Sequence, residues 1–120
     1  MNLEPESDQG EPLSWEEFRR VDLRVGTILS AALNPKAKIP ALALKIDLGE
    51  LGTRASSAQL TRNYEPEQLV GRQVVCVVNF APKRIAGVKS EVLVLGGLDE
   101  ALGTILLGVE RPVEPGTRIA

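Results

Sequence analysis

Positive charge is concentrated in one stretch of the chain, Asn79 to Gly96, with the sequence NFAPKRIAGVKSEVLVLG. Lys83, Arg84 and Lys89 stand there among Pro and Gly residues, between two apolar runs that are typical of buried strands. Lys and Arg side chains on a loop between strands reach solvent, where they bind phosphate or carboxylate groups without a desolvation cost in the core. This placement suits a polyanionic ligand. The alternative is a soluble hairpin whose charges only prevent edge-to-edge strand pairing.

The side chains that most often perform catalysis are missing or poorly placed in this sequence. The chain has no histidine, which removes the commonest general base and zinc ligand. Its one cysteine, Cys76, lies in the apolar run VVCVV, so we predict an inert core thiol. Two carboxylate pairs, Glu65 with Glu67 and Asp99 with Glu100, fall in segments typical of helix starts and turns. We therefore predict a binding protein and not an enzyme, with no cofactor and no metal site.

The charge of the chain is unevenly distributed. The formal net charge is -2, but the residues up to Glu17 include six acidic and no basic side chains, which leaves 14 basic against ten acidic side chains in the remainder. The remainder is therefore mildly basic, as a polyanion-binding surface requires. No uncharged run approaches the roughly 20 residues that span a bilayer, and the N-terminus lacks the pattern of a secretory signal. With its single cysteine, the chain is predicted to be cytoplasmic, with no membrane partner.

The sequence divides into a leader and one domain. Residues 1–13, rich in Glu, Pro, Gly and Ser, are predicted to form an acidic flexible leader, and residues 14–120 the folded domain. Ser14, followed three residues later by Glu17, has the pattern of a capping box. It predicts a short helix that presents Trp15 and Phe18 on one side.

The rest of the domain has the pattern of short β-strands separated by turn residues. Strand patterns occur in VDLRVGTILSAAL, ALALKIDLG, TRASSAQLT, RQVVCVVNF, SEVLVLGGL and GTILLGV, and Gly26 in the first run suggests a bulge or sharp bend. NYEPEQLVG predicts a helical turn that has Pro66 in its first position and Gly71 at its end. ERPVEPGTRIA predicts an extended or edge segment. Five or six strands without βαβ spacing favour a small all-β barrel.

Three strings, in this order, carry a resemblance to a known family: VDLRVGTI, LKIDLGELGTRASSAQLT and LVGRQVVCVVNFAPKRIAGVKSEVLVLG. They resemble the tRNA-binding domain family, and within it the stand-alone CsaA type, over about Trp15 to Ile119. Relatives in this family include the C-terminal extension of bacterial methionyl-tRNA synthetases. The resemblance implies a five-stranded Greek-key OB-fold barrel. It also implies a homodimer formed through the N-terminal helix and the terminal segments, with Trp15 and Phe18 at the interface.

The resemblance also implies which residues bind the ligand. The family's segment at the nucleic-acid surface matches Asn79, Pro82, Lys83, Gly87, Ser90 and Glu91 here, and the string SSAQ supplies polar side chains on a strand, between two arginines. The implied site for RNA or peptide is Arg54, Ser56, Ser57, Gln59, Arg62, Asn79, Lys83, Arg84, Lys89 and Ser90.

Two departures from the CsaA type weaken base recognition. In the string KIPALAL, Ile39, Leu42 and Ala43 stand where that type typically has a basic residue, an aromatic residue and a second basic residue. GVKSE places Val88 and Lys89 where the type has an apolar contact. Since aromatic side chains supply base stacking, these changes favour a surface that contacts the RNA backbone more than the bases.

Two functions from different classes remain open at this point. The first is non-catalytic binding of tRNA or another structured RNA, with phosphate contacts supplying most of the affinity. The acidic leader would then compete with RNA for the basic surface. The second is chaperone-like binding of unfolded precursor proteins during export, as the CsaA type is described, which needs an exposed apolar groove.

Overall fold

A capping box begins the folded domain. The computed structural model describes residues 10–120, and the first nine residues of the predicted leader lie outside the described residues. The backbone N–H of Glu17 donates to the Ser14 hydroxyl at 3.1 Å, and the Ser14 N–H donates to the Glu17 carboxylate at 3.1 Å. These bonds lower the pKa of the Glu17 carboxyl and confirm the predicted helix, α1, at Trp15–Arg19.

Strand β1, Leu23–Leu33, is the longest element and pairs with three other strands. The later elements are β2 (Leu42–Asp47), a 3-10 turn (Gly49–Leu51), β3 (Thr53–Ala58), α2 (Pro66–Leu69), β4 (Gln73–Val77), β5 (Lys83–Ile85), β6 (Val88–Ser90), β7 (Leu93–Val94), β8 (Gly96–Asp99), β9 (Gly103–Leu106) and β10 (Arg118–Ile119). Residues 10–120 form ten short strands instead of the predicted five or six, because the run SEVLVLGGL is divided among β6, β7 and β8 and the charged stretch forms a hairpin of its own. The helical turn at Pro66 is confirmed.

Six strands form one antiparallel sheet in the order β3-β2-β1-β4-β7, with β10 paired to the start of β1. The sheet curves until β3 meets the segment between β6 and β7. There the N–H of Glu91 donates to the carbonyl of Ala55 at 2.8 Å, and the hydroxyl of Ser56 donates to the carbonyl of Val92 at 2.8 Å. The sheet is thereby nearly closed into a barrel, which confirms the predicted all-β barrel of OB-fold type.

The barrel encloses an apolar core. Its fully buried side chains include Ile28, Leu42, Leu44, Ile46, Leu48, Leu69, Val74 and Cys76. Burial raises the pKa of the Cys76 thiol to about 12, so the thiol stays protonated at neutral pH, as an inert core position requires. Within residues 10–120, no helix is long and apolar enough to cross a membrane.

Gly26 does not form the bulge that its position suggested. It pairs regularly with Val74, and the irregularity of β1 lies between Ile28 and Ser30, where the register with β2 shifts. Gly26 instead leaves room for a core side chain: a Cβ atom there would lie 2.4 Å from Cγ2 of Ile46. Carbon atoms that are not bonded stay well beyond that distance, so only glycine lets β2 pack this closely on β1.

We expect Gly26→Ala to lower the free energy of unfolding by about 1–3 kcal/mol, because the added methyl group must displace the buried Ile46 side chain. Gly97→Ala is the matched control. It also lies within a strand, but its Cβ would meet nothing closer than the carbonyl oxygen of Ile105, at 3.9 Å. Chemical denaturation should show a change within about 0.5 kcal/mol for Gly97→Ala. Equal losses in the two variants would contradict the packing role of Gly26.

Candidate nucleic-acid interface

The charged stretch forms a β-hairpin with two different faces. β5 and β6 pair in the register Lys83↔Ser90, Arg84↔Lys89 and Ile85↔Val88. Because cross-strand partners share a face and successive residues alternate, Lys83, Ile85 and Ser90 lie on one face and Arg84 with Lys89 on the other. The three predicted cations are therefore exposed on one hairpin but divided between its two sides.

The Lys83 face borders a groove over the outer surface of β3. One cavity of about 310 Å³ is lined by Ser57, Phe80, Ala81, Lys83, Ile85, Ser90, Glu91, Val92 and Leu93. A second, of about 260 Å³, is lined by Ala37, Lys38, Ile39, Ala41, Ser57, Gln59, Ile85 and Ala86. Ser57 and Ile85 line both cavities, so the two are adjacent. We call the pair the β3 groove.

Polar and apolar groups share the β3 groove. Its polar members are the ammonium groups of two lysines, the Ser57 and Ser90 hydroxyls and the Gln59 amide, together with the Glu91 carboxylate. The hydroxyl of Ser90 accepts a hydrogen bond from the Ser57 N–H at 3.3 Å, and Glu91 accepts one from the Ala55 N–H at 3.2 Å. Such a groove supplies cations for an anionic backbone and hydroxyl and amide groups for ribose or base edges.

The cations beside the groove have no acidic partners in the described part of the chain. Between residues 10 and 120, the two ion pairs are Arg24–Asp22 at 2.7 Å and Arg111–Glu110 at 3.8 Å. Neither involves a residue of the β3 groove or the hairpin. An unpaired lysine at a rim keeps its full charge for a ligand.

Sequence reasoning missed two lysines of the loop between β1 and β2. Lys38 lines the β3 groove, and Lys36 lies against the tip of the β5–β6 hairpin, where a Cβ atom on Gly87 would lie 3.7 Å from the Lys36 Nζ. Both belong to the string NPKAKIP, which has a signal like that of the charged stretch: basic side chains that follow a proline between two apolar strand runs. The basic surface thus has two sources, the loop and the hairpin.

Two residues assigned to the site instead have structural bonds. Ser56 is 1% exposed and donates to the Val92 carbonyl, so its hydroxyl faces the barrel interior and cannot reach a ligand. Asn79 is exposed, but its Oδ1 accepts from the Asp22 N–H at 3.0 Å and its Nδ2 donates to the Arg20 carbonyl at 2.6 Å. The Asn79 amide therefore fastens the segment that connects α1 to β1.

Two further predicted residues lie away from the β3 groove. The guanidinium of Arg54 donates from Nε to the Leu51 carbonyl at 3.2 Å, within the turn before β3. Arg62 donates to the carbonyl of Ala101 and so contacts the β8–β9 hairpin. Neither lines the cavities of the groove. The structure therefore brings together Ser57, Gln59, Lys83 and Ser90 from the predicted set.

The expected weakening of base stacking rested partly on Leu42. Leu42 is fully buried, so its replacement of an aromatic residue changes the core and not the ligand surface. Phe80, in contrast, is 58% exposed and lines the groove beside Lys83. One aromatic ring is therefore available for stacking on a base or an apolar side chain.

The two aromatic residues of α1 are exposed. Trp15 is 77% and Phe18 is 36% exposed, and Leu13 and Val21 beside them are exposed as well. A third cavity, of about 500 Å³, lies where α1 meets the barrel, with Leu13, Val21 and Phe80 among its lining residues. An apolar surface of this kind is typical of a protein interface.

One residue of each carboxylate pair lies at a helix start or in a turn, as the sequence indicated. Glu65 is the N-cap residue of α2, and its N–H donates to the Gln68 side chain at 2.9 Å. The Asp99 carboxylate accepts the N–H groups of Ala101 and Leu102 in the β8–β9 turn. No group of three or more metal-binding side chains occurs in the part of the chain that the structure describes.

The sequence of the chain was compared with those of known protein families and known proteins. The family described as "Putative tRNA binding domain" matches residues 23–118. The methionine–tRNA ligase of Methanococcoides burtonii is 44% identical over 107 residues, which are 89% of this chain and 16% of that protein. The chain thus spans about one-sixth of the length of the curated relatives it matches.

Two solved structures cover nearly the same length as this chain. The chaperone CsaA of Bacillus anthracis str. Ames has a TM-score of 0.86 and 50% identity, and the match covers 92% of this chain and 100% of that one. The CsaA chaperone protein of Picrophilus torridus has a TM-score of 0.85 and 41% identity, with 91% and 100% covered. By family match, sequence identity and fold, the chain belongs to the tRNA binding domain family.

Proposed function

We propose that the protein binds tRNA or a similarly structured RNA along the β3 groove. The observation that carries the proposal is the placement of Lys38, from the loop between β1 and β2, and Lys83, from the β5–β6 hairpin, on one groove that also has hydroxyl and amide groups. Phosphates of one backbone segment would contact the lysines, while ribose hydroxyls or base edges meet Ser57, Gln59 and Ser90. This division of contacts is usual for RNA-binding modules.

Phosphate contacts supply most of the affinity in this proposal. The groove has one exposed aromatic ring, Phe80, whereas single-strand binders stack successive bases on several rings. With roughly three to five phosphate contacts per protomer, the logarithm of the association constant should fall by about 2–4 for each tenfold rise in salt. The RNA would be recognised by its shape more than by its sequence.

We assign the protein no reaction of its own. The one thiol is buried and protonated, Glu65 is the N-cap residue of α2, and the Asp99 carboxylate accepts N–H groups in the β8–β9 turn. Since the proposed ligand is tRNA, we place the protein in the cytoplasm. The methionine–tRNA ligases that it resembles are six times as long, so their activity is not transferred to this chain.

We also propose that the protein is a homodimer. Trp15 and Phe18, with Leu13 and Val21, present an apolar surface on α1 that two copies could bury against each other. Aromatic residues of this type supply much of the binding energy in protein interfaces. A dimer would place two β3 grooves on one particle, and the two could then contact one folded RNA.

A second candidate function is chaperone-like binding of unfolded precursor proteins. The observation that favours it is the apolar lining of the same groove by Phe80, Ile85, Val92 and Leu93. The two solved structures described above are titled as chaperones. An extended peptide could place apolar side chains there by burial of its surface, a contact that salt does not weaken.

Charge reversal on the two faces of the hairpin tests the proposed RNA site. Lys83→Glu removes a cation from the groove and introduces repulsion, so we expect tRNA affinity to fall at least about tenfold at ~0.1 M salt. Lys89→Glu makes the same charge change on the opposite face and should have a smaller effect. Electrophoretic retardation of total tRNA across a salt series measures both. Equal losses would mean that net charge, and not the groove, determines binding.

The chaperone alternative predicts that suppression of aggregation persists in high salt. Leu93→Ser replaces a leucine of the groove that is 48% exposed, and Leu98→Ser replaces one on β8 that is 55% exposed and outside it. Light scattering of a denatured client protein at ~0.5 M salt should rise with Leu93→Ser but not with Leu98→Ser. Failure of the unmodified protein to suppress aggregation would exclude this function.

The dimer proposal predicts that Trp15→Ala weakens association at least about thirtyfold, as truncation of a central interface tryptophan commonly does. Ile39→Ala is the control, because Ile39 is 62% exposed on the loop between β1 and β2, away from α1. Analytical ultracentrifugation over a concentration series should show a dimer for the unmodified protein and Ile39→Ala, and monomer for Trp15→Ala. A monomeric unmodified protein would contradict the proposal.

A further inference from the structure

The tip of the β5–β6 hairpin has an unusual backbone conformation. Its two central residues, Ala86 and Gly87, both have positive φ, 47° and 83°, as in the type I′ turns that join strands tightly. Glycine, asparagine and aspartate favour this conformation, whereas the Cβ of alanine makes it sterically unfavourable. Within residues 10–120, Ala86 is the one residue other than glycine with positive φ. Contacts from outside the hairpin must therefore help to hold the turn.

Asn34, at the end of β1, supplies such a contact. It is buried, at 7% exposure, and its Nδ2 donates to the carbonyl of Ala86 at 3.3 Å. Its Oδ1 accepts the backbone N–H of Lys36 at 3.1 Å, and its own N–H donates to the Ala41 carbonyl at 2.9 Å. One buried amide thus joins two loops that are 52 residues apart in the sequence. Because a buried amide must be hydrogen-bonded, this link is specific.

Gly87 brings the Lys36 side chain against the same turn. A Cβ atom on Gly87 would lie 3.3 Å from Cδ and 3.7 Å from Nζ of Lys36. The next charge along the hairpin is also fastened there, because Nη1 of Arg84 donates to the Gly87 carbonyl at 3.2 Å. The Lys36 side chain therefore lies against the tip of the hairpin that carries Lys83, and its ammonium makes no hydrogen bond within residues 10–120.

We propose that Lys36 is a further phosphate-binding residue and that Asn34 is the positioning residue that holds it in register with the hairpin. The inference rests on the proposed function, since it assigns two more residues to the RNA site. Asn34 itself is too buried to contact RNA. It acts by fixing the distance between cations on two loops, so that one RNA segment meets both without a cost for ordering them.

A double-mutant cycle tests this coupling. Lys36→Ala should weaken tRNA binding about 5- to 10-fold at ~0.1 M salt and reduce the slope of log affinity against log salt by about 0.7–0.9, the value of one phosphate contact. Asn34→Ala retains Lys36 but should reduce the slope by a similar amount. The double variant should bind tRNA no more weakly than the weaker-binding single variant, because both substitutions remove the same phosphate contact. Additive losses, or an unchanged slope for Asn34→Ala, would overturn the inference.

Two controls separate positioning from simple stability. Thermal unfolding of each variant checks that it is folded at the assay temperature. Ala86→Asn, combined with Asn34→Ala, gives the turn the sequence Asn-Gly, which adopts this conformation unaided. The combined variant should be folded but still lack the contribution of Lys36. Full recovery of the slope would show that Asn34 only stabilises the turn, and would overturn its positioning role.

The unmodified protein distinguishes this inference from the proposed function. If it binds tRNA with the expected salt dependence while the cycle is additive, the inference alone is wrong. If the unmodified protein does not bind tRNA at low salt, the proposed function is wrong and the inference falls with it.

Discussion

The hydrogen bonds that close the barrel between β3 and residues 90–92 determine where each proposed ligand contact lies. The Ser56 hydroxyl and the Ala55 carbonyl both bond to this segment, and the Ser57 N–H donates to the Ser90 hydroxyl directly beside them. Since β3 and this segment are fixed to each other, the hairpin that precedes residue 90 must lie along the outside of β3. The barrel closure therefore creates the groove and places Lys83 on its edge.

The basic side chains of the domain have two different uses. Arg24, Arg54, Arg62 and Arg84 each donate to a backbone carbonyl. The bonds of Arg24 and Arg62 join distant segments, and those of Arg54 and Arg84 span three residues. The lysine side chains of the loop and the hairpin make no hydrogen bond within residues 10–120. The rigid fork of a guanidinium suits fixed carbonyl partners, whereas an ammonium on a flexible stem adapts to phosphates whose positions vary. Of the predicted cations, Lys83 lines the groove, whereas Arg54, Arg62 and Arg84 bond to backbone carbonyls.

Local signals in the sequence were sufficient to predict the helices and most strands of the fold. They were insufficient to predict which strand side chains point into the barrel and which point outward. The capping box at Ser14 and the proline at position 66 act within one helical turn, so both helices could be predicted. Ser56 and Ser57 are neighbours of equal polarity, and only the closure of the barrel decides that the first faces inward. Asn34 and Asn79 bond to residues more than 50 positions away, and no local pattern reports such partners.

The mixed lining of the β3 groove changes how the two candidate functions relate. The sequence left open whether RNA and unfolded peptides would bind the same surface. In the structure Lys83 and Ser90 line the same cavity as Phe80 and Leu93, so an RNA backbone and an apolar peptide would displace each other. Salt weakens the binding of RNA, because RNA is held by charge. It leaves the binding of an apolar peptide nearly unaffected, because the peptide is held by burial of apolar surface. Ionic strength would therefore select between the two ligands at a single site.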